Sequence, residues 1–123
     1  MHSFKSYLRE RNQTDTIHDF ISFAARYLQL KDKPDVDLLD ERDENMTAAN
    51  FNIETKKTKV YCKGRATADI CRSIAHELVH QRQLETLSEP LDGSTGSKHE
   101  DEANSVAGRI VREYGRTHPS FYE

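Results

Sequence analysis

Residues 69–83 read Asp69-Ile70-Cys71-Arg72-Ser73-Ile74-Ala75-His76-Glu77-Leu78-Val79-His80-Gln81-Arg82-Gln83. Stepping about 100° per residue from His76 sets Ile70, Cys71, Ile74, Ala75, Leu78 and Val79 on one wide apolar arc, which predicts a helix buried on most sides. Asp69, Ser73, His76, His80 and Gln83 form the narrow polar strip that remains. Inside that strip stands an H-E-x-x-H, His76-Glu77-Leu78-Val79-His80. Four-residue spacing puts the two imidazoles about one turn apart on the same side, where both reach one tetrahedral cation. Glu77 lies about 100° further round. From there it shares the cation poorly but can hold a metal-bound water and take its proton, the work of a general base. Three specified positions are a short signature in a chain with six histidines, so the weight rests on the apolar cladding of this helix.

Two histidines need a third ligand, and a second helix offers candidates. Ser97-Lys98-His99-Glu100 has the capping-box form, Ser at the N-cap and Glu at N3, which predicts a helix from about Lys98. Its expected end is near Gly115, between Arg112 and Arg116 and before Pro119. Ala103, Ala107, Ile110, Val111 and Tyr114 make the buried stripe, and Glu102 sits beside it in the second turn, next to the small Ala103. Glu100 and Asp101 read as ordinary acidic residues favoured by a helix N-terminus.

His76-Glu77-x-x-His80, followed after a linker by Glu102-Ala103-Asn104 and Ala107, resembles the gluzincin metallopeptidases. The likeness is to their minimal members, the ImmA/IrrE-type domains, whose second motif reads E-A-N-x-x-A, and it spans about Thr47 to Arg112. It implies Zn2+ held by His76, His80 and Glu102, with Glu77 as catalytic base. Larger gluzincins carry, four residues after the ligand glutamate, an aspartate that orients a ligand histidine. Here that position is Val106, so Asn104, Asp69 or a backbone carbonyl must supply the acceptor. His99 is the rival third ligand, because SprT-type zincins finish their site with a histidine in a comparable place.

The rest of the chain reads as a scaffold. Phe4, Tyr7 and Leu8 predict a short opening helix, and Thr16-x-x-Asp19 a second one running through Ile17, Phe20, Ile21, Ala24, Tyr27 and Leu28 to about Leu30. His18 in its first turn reads as solvated. Beyond Pro34, Val36, Leu38 and Leu39 predict a short strand. Met46 to Thr55 alternates, with Ala49, Phe51 and Ile53 on one face, and Lys56-Lys57-Thr58 turns the chain into Lys59-Val60-Tyr61-Cys62 as a hairpin. Ser88 to Ser97, with Pro90, Gly93 and Gly96, reads as mobile. The expected architecture is α+β in one domain over 1–123: an N-terminal helix, a small and mostly antiparallel sheet, the H-E-x-x-H helix, and a C-terminal helix carrying the third ligand. By resemblance this is the minimal zincin plan, in which an edge strand pairs with an extended peptide substrate.

Composition bounds the function. With 123 residues, 35% hydrophobic residues and no tryptophan, the chain buries one compact core. A formal charge of −3 offers no basic field for nucleic acid. No stretch has the apolar length of a membrane span, and Met1-His2-Ser3-Phe4-Lys5 lacks a secretory h-region, so an intracellular protein is expected. Cys62 and Cys71 make no disulfide framework; Cys71 falls on the buried face of the histidine helix and reads as core. Tyr61, Arg109, Tyr114 and His118 are candidates to stabilise an oxyanion. Two functions follow: a zinc metallopeptidase acting on a polypeptide, or a zinc-binding structural or assembly module with a protein partner. Short zincin-like chains of this kind also resemble uncharacterised bacteriophage proteins, which points to an accessory or virion component.

Overall fold

The computed structural model describes residues 4–41, 48–87 and 97–122. Its elements run α1 (Phe4–Leu28), β1 (Asp35–Leu39), β2 (Ala49–Asn52), β3 (Lys57–Tyr61), α2 (Thr67–Thr86), α3 (Lys98–Thr117) and a short 3-10 helix (Pro119–Tyr122). The class is α+β, as expected. The three strands lie in the order β1-β3-β2, and the sheet is mixed instead of mostly antiparallel. A tight hairpin forces β2 and β3 to be antiparallel, whereas β1 reaches the far side of β3 in the same direction and pairs with it in parallel.

One helix replaces the two expected at the N-terminus. No Gly or Pro interrupts Phe4–Leu28, and extending an existing helix is easier than nucleating a new one at Thr16. The side chains of Phe4, Tyr7 and Leu8 lie outside the described residues. The helix stops where Gln29 turns left-handed at φ 54°. There the Leu30 N–H donates to the Ala25 carbonyl and the Gln29 N–H to the Arg26 carbonyl, both at 3.1 Å, which is the Schellman pattern.

The hairpin turns earlier than the alternation predicts. Asn52 Oδ1 accepts from the Glu54 and Thr55 N–H groups at 2.9 and 3.1 Å. Lys56, at φ 60°, closes the turn by donating to the Asn52 carbonyl at 2.7 Å. Ile53 therefore sits exposed in the turn and leaves the inner face to Ala49 and Phe51. Met46, Thr47 and residues 88–96 of the expected mobile segment lie outside the described residues.

α2 is central, packed against α1, α3, β2 and β3. Ile70, Ile74 and Leu78 on α2, Phe20 on α1, and Ile110 and Tyr114 on α3 are fully or almost fully buried and form the core. Cys71 is buried among them, and His18 is exposed, both as expected. α3 opens at Ser97, whose Oγ accepts the Glu100 N–H at 3.1 Å. It ends at Thr117, two residues beyond Gly115, and Gly115 is the place where the Tyr122 ring packs, since a Cβ there would come within 2.7 Å of that ring. No helix among the described residues is long and apolar enough to cross a membrane.

Candidate metal centre

The polar strip of α2 faces a cleft of about 470 Å³ bounded by β2 and α3. His76, Glu77 and His80 open into it, as do Ala49, Asn50 and Phe51 of β2 and Glu100 and Asn104 of α3. Arg65 fixes β2 against the histidine helix. Its Nη1 donates to the Tyr61 carbonyl at 2.6 Å and to the Ala48 carbonyl at 3.4 Å, while Nη2 donates to Ser73 Oγ at 2.6 Å.

The carboxylate that meets the two imidazoles belongs to Glu100, not Glu102. Glu100 Oε1 lies 2.8 Å from His76 Nε2, and its Oε2 lies 3.1 Å from His80 Nε2. Ligand atoms of these three residues fall within 4.8 Å of one another. Glu102 is exposed and turned the other way, accepting from Gln83 Nε2 at 3.0 Å, with Arg82 at 3.8 Å. His99, the rival, is buried but outside this group. Glu100 had a visible rival role as the capping-box glutamate, and the structure separates its two parts. Its backbone N–H is capped by Ser97, while its side chain swings to the histidines.

Gln83 sets the state of His80. Its Nε2 faces two acceptors, the His99 carbonyl and Glu102 Oε1, each at 3.0 Å, so the amide orientation is determined and Oε1 points at His80 Nδ1, 2.8 Å away. Nδ1 therefore carries a proton, and Nε2 is the nitrogen left for a cation. His76 has a side-chain hydrogen-bond partner of its own in Asn104, which favours the protonated ring. Asn104 stands four residues after Glu100, one turn further along α3. Gln83 carried no role in the sequence reading, although its place in the polar strip was visible.

The donor set fits a small divalent cation. Bond lengths of about 2.0–2.2 Å place tetrahedral ligands about 3.3–3.6 Å apart, and the three ligand atoms already lie within 4.8 Å of one another, so modest side-chain shifts bring them around one cation. Each present N···O contact also requires a proton between ring and carboxylate. Burial opposes that, pushing the His76 imidazole below its usual range despite the nearby Glu100. Glu77 is 9% exposed, and burial raises its carboxyl from 4.5 to about 7, with His80 opposing and Glu100 reinforcing the rise.

The oxyanion candidates stand elsewhere. Tyr114 is buried and donates to Asp19 at 2.6 Å, and His118 stacks on its ring. Neither these nor Tyr61 and Arg109 line the cleft, whereas Arg72 does. No protein-family model, curated protein or solved structure matches the chain.

Proposed function

We propose that this protein is a zinc-dependent metallopeptidase of minimal zincin plan, hydrolysing an extended polypeptide. The observation that carries the reading is the convergence of His76, His80 and Glu100 around one point, with the buried Glu77 beside them at the cleft. Two neutral imidazoles and one carboxylate are the donor set of catalytic zinc sites, which leave a fourth position for water. Zinc held there would supply an acidified water and a Lewis acid for the scissile carbonyl.

The remaining work falls to the chain. Glu77 follows His76 directly and so points past the three ligands, where its carboxylate accepts a proton from the attacking water and returns it to the leaving amine. Gln83 and Asn104 hold the two imidazoles in place. Among the described residues β2 is an edge strand that pairs only with β3, and its residues 49–51 border the cleft. Its free edge suits an extended peptide added as a further strand. An intracellular setting fits the two free thiols, Cys62 and Cys71.

The test is a digest of unfolded polypeptide by wild type, Glu77→Gln and chelated protein. Cleavage by zinc-loaded wild type alone supports the reading. If all three are inert while zinc is bound, the site is structural, and the assembly-module alternative replaces the enzyme.

A further inference from the structure

Arg72 stands one turn before His76, so Arg72, His76 and His80 form a single row along α2, at positions i, i+4 and i+8. All three line the cleft. The guanidinium reaches the seam between α2 and α3 beside Gly108, where an added Cβ would meet its two terminal nitrogens in ordinary contact at 3.7 and 3.9 Å. The neighbouring arginines are occupied: Arg65 pairs with Asp69 at 2.9 Å, and Arg82 lies 3.8 Å from Glu102. Arg72 is a planar fork of donors with a permanent charge, exposed at the cleft and without a carboxylate partner among the described residues, and such a fork can recognise a carboxylate in two-pronged fashion.

We propose that Arg72 forms a carboxylate-binding subsite of the cleft, selecting peptides that carry a carboxylate about two residues from the bond cleaved. The spacing follows from the row. Four helical residues rise about 6 Å, and an extended chain advances about 3.3 Å per residue. The carboxylate can be an acidic side chain or the free end of the peptide. The inference rests on the peptidase reading and names its substrate class. It also agrees with the charge of the site, because a divalent cation offsets Glu77 and Glu100 and leaves Arg72 as the unbalanced charge at that end of the cleft.

The experiment uses zinc-loaded protein and matched peptides bearing Glu, Gln or Lys at the second and third positions on each side of the cleaved bond. Each peptide is made with a free or an amidated C-terminus. Wild type is expected to favour a Glu peptide or a free terminus by about tenfold or more, the value of one charged hydrogen-bonded pair. The two arms tell side chain from terminus. Arg72→Gln should keep its zinc and lose the preference, and Arg72→Glu should favour Lys. A preference that is absent from wild type, or that survives in Arg72→Gln, overturns the subsite. If wild type cleaves none of these peptides, their binding to zinc-loaded Glu77→Gln protein, read by fluorescence anisotropy, separates the two claims. An Arg72-dependent carboxylate preference in binding upholds the subsite while the peptidase reading falls. Binding without that preference, or no binding at all, overturns the subsite.

Discussion

Replacing Glu77 by Gln in metal-stripped protein is expected to stabilise the fold at neutral pH and to leave it unchanged in acid. The carboxyl is 9% exposed, and burial lifts it from 4.5 to about 7. A carboxyl whose folded value is raised binds its proton more tightly in the folded state than in the unfolded one. Its contribution is therefore fully present below pH 4.5 and is lost as the pH rises through 7. At about 1.36 kcal/mol per pH unit of displacement, the complete loss is about 3 kcal/mol. Less than about 1 kcal/mol of this has gone by pH 5, so the window from pH 5 to pH 8 contains most of it, about 2–3 kcal/mol. Glutamine has nearly the same shape and does not ionise, so the comparison reads the ionisation of Glu77 together with its interaction with His80 and Glu100. Urea unfolding of both proteins in chelator at pH 5 and pH 8 reads the difference directly. Glu77→Gln should gain about 2–3 kcal/mol on wild type across that interval. Stability curves that run parallel with pH would refute the argument, because the carboxylate would then be as well solvated in the fold as in the unfolded chain. A buried carboxylate that weakens the fold at neutral pH is the kind of group found where chemistry is done.

Elemental analysis and chelator competition test the donor set: His76→Ala, His80→Ala and Glu100→Ala should each abolish tight zinc retention, whereas Glu102→Ala should reduce it far less, since Glu102 bonds to Gln83 and lies near Arg82 instead of the histidines. Gln83→Ala should lower zinc affinity about 10- to 100-fold with the three ligands intact, by freeing the His80 ring from its tautomer. Phe20→Ala, which removes a ring stacked on Phe121 and set edge-on to Tyr114, should cost about 3–5 kcal/mol in urea unfolding. Timed alkylation of native protein at pH 8 should modify the half-buried Cys62 slowly and Cys71 hardly at all, because burial pushes the Cys71 thiol up to about 12.

Much of the scaffold was legible because its cause is local. The apolar arc of residues 70–79 specified a buried helix with one polar strip, and Ser97 marked the start of α3 through a cap that depends only on its near neighbours. The hairpin was legible as well, although its turn was displaced by the side chain of Asn52. Parallel pairing of β1 was not, because nothing within a five-residue strand states which neighbour it will meet.

The same division explains the third carboxylate. H-E-x-x-H lies within a single turn of one helix, so His76, Glu77 and His80 are set by helical spacing alone. Glu100 and Glu102 stand about 200° apart around α3, and either becomes the partner of those histidines according to how α3 is rotated against α2. That rotation is set by burial of Ala103, Ala107, Ile110 and Tyr114. A helical wheel places Glu100 about 50° from the middle of this stripe and Glu102 about 110° away on the other side, a signal that was present but was absorbed by the capping-box reading. The sequence by itself determined that two imidazoles and a base share one helix. Only tertiary packing decided that Glu100 meets them, that Gln83 and Asn104 hold them and that Arg72 shares their cleft, because those contacts join residues on separate elements whose relative orientation no local pattern encodes.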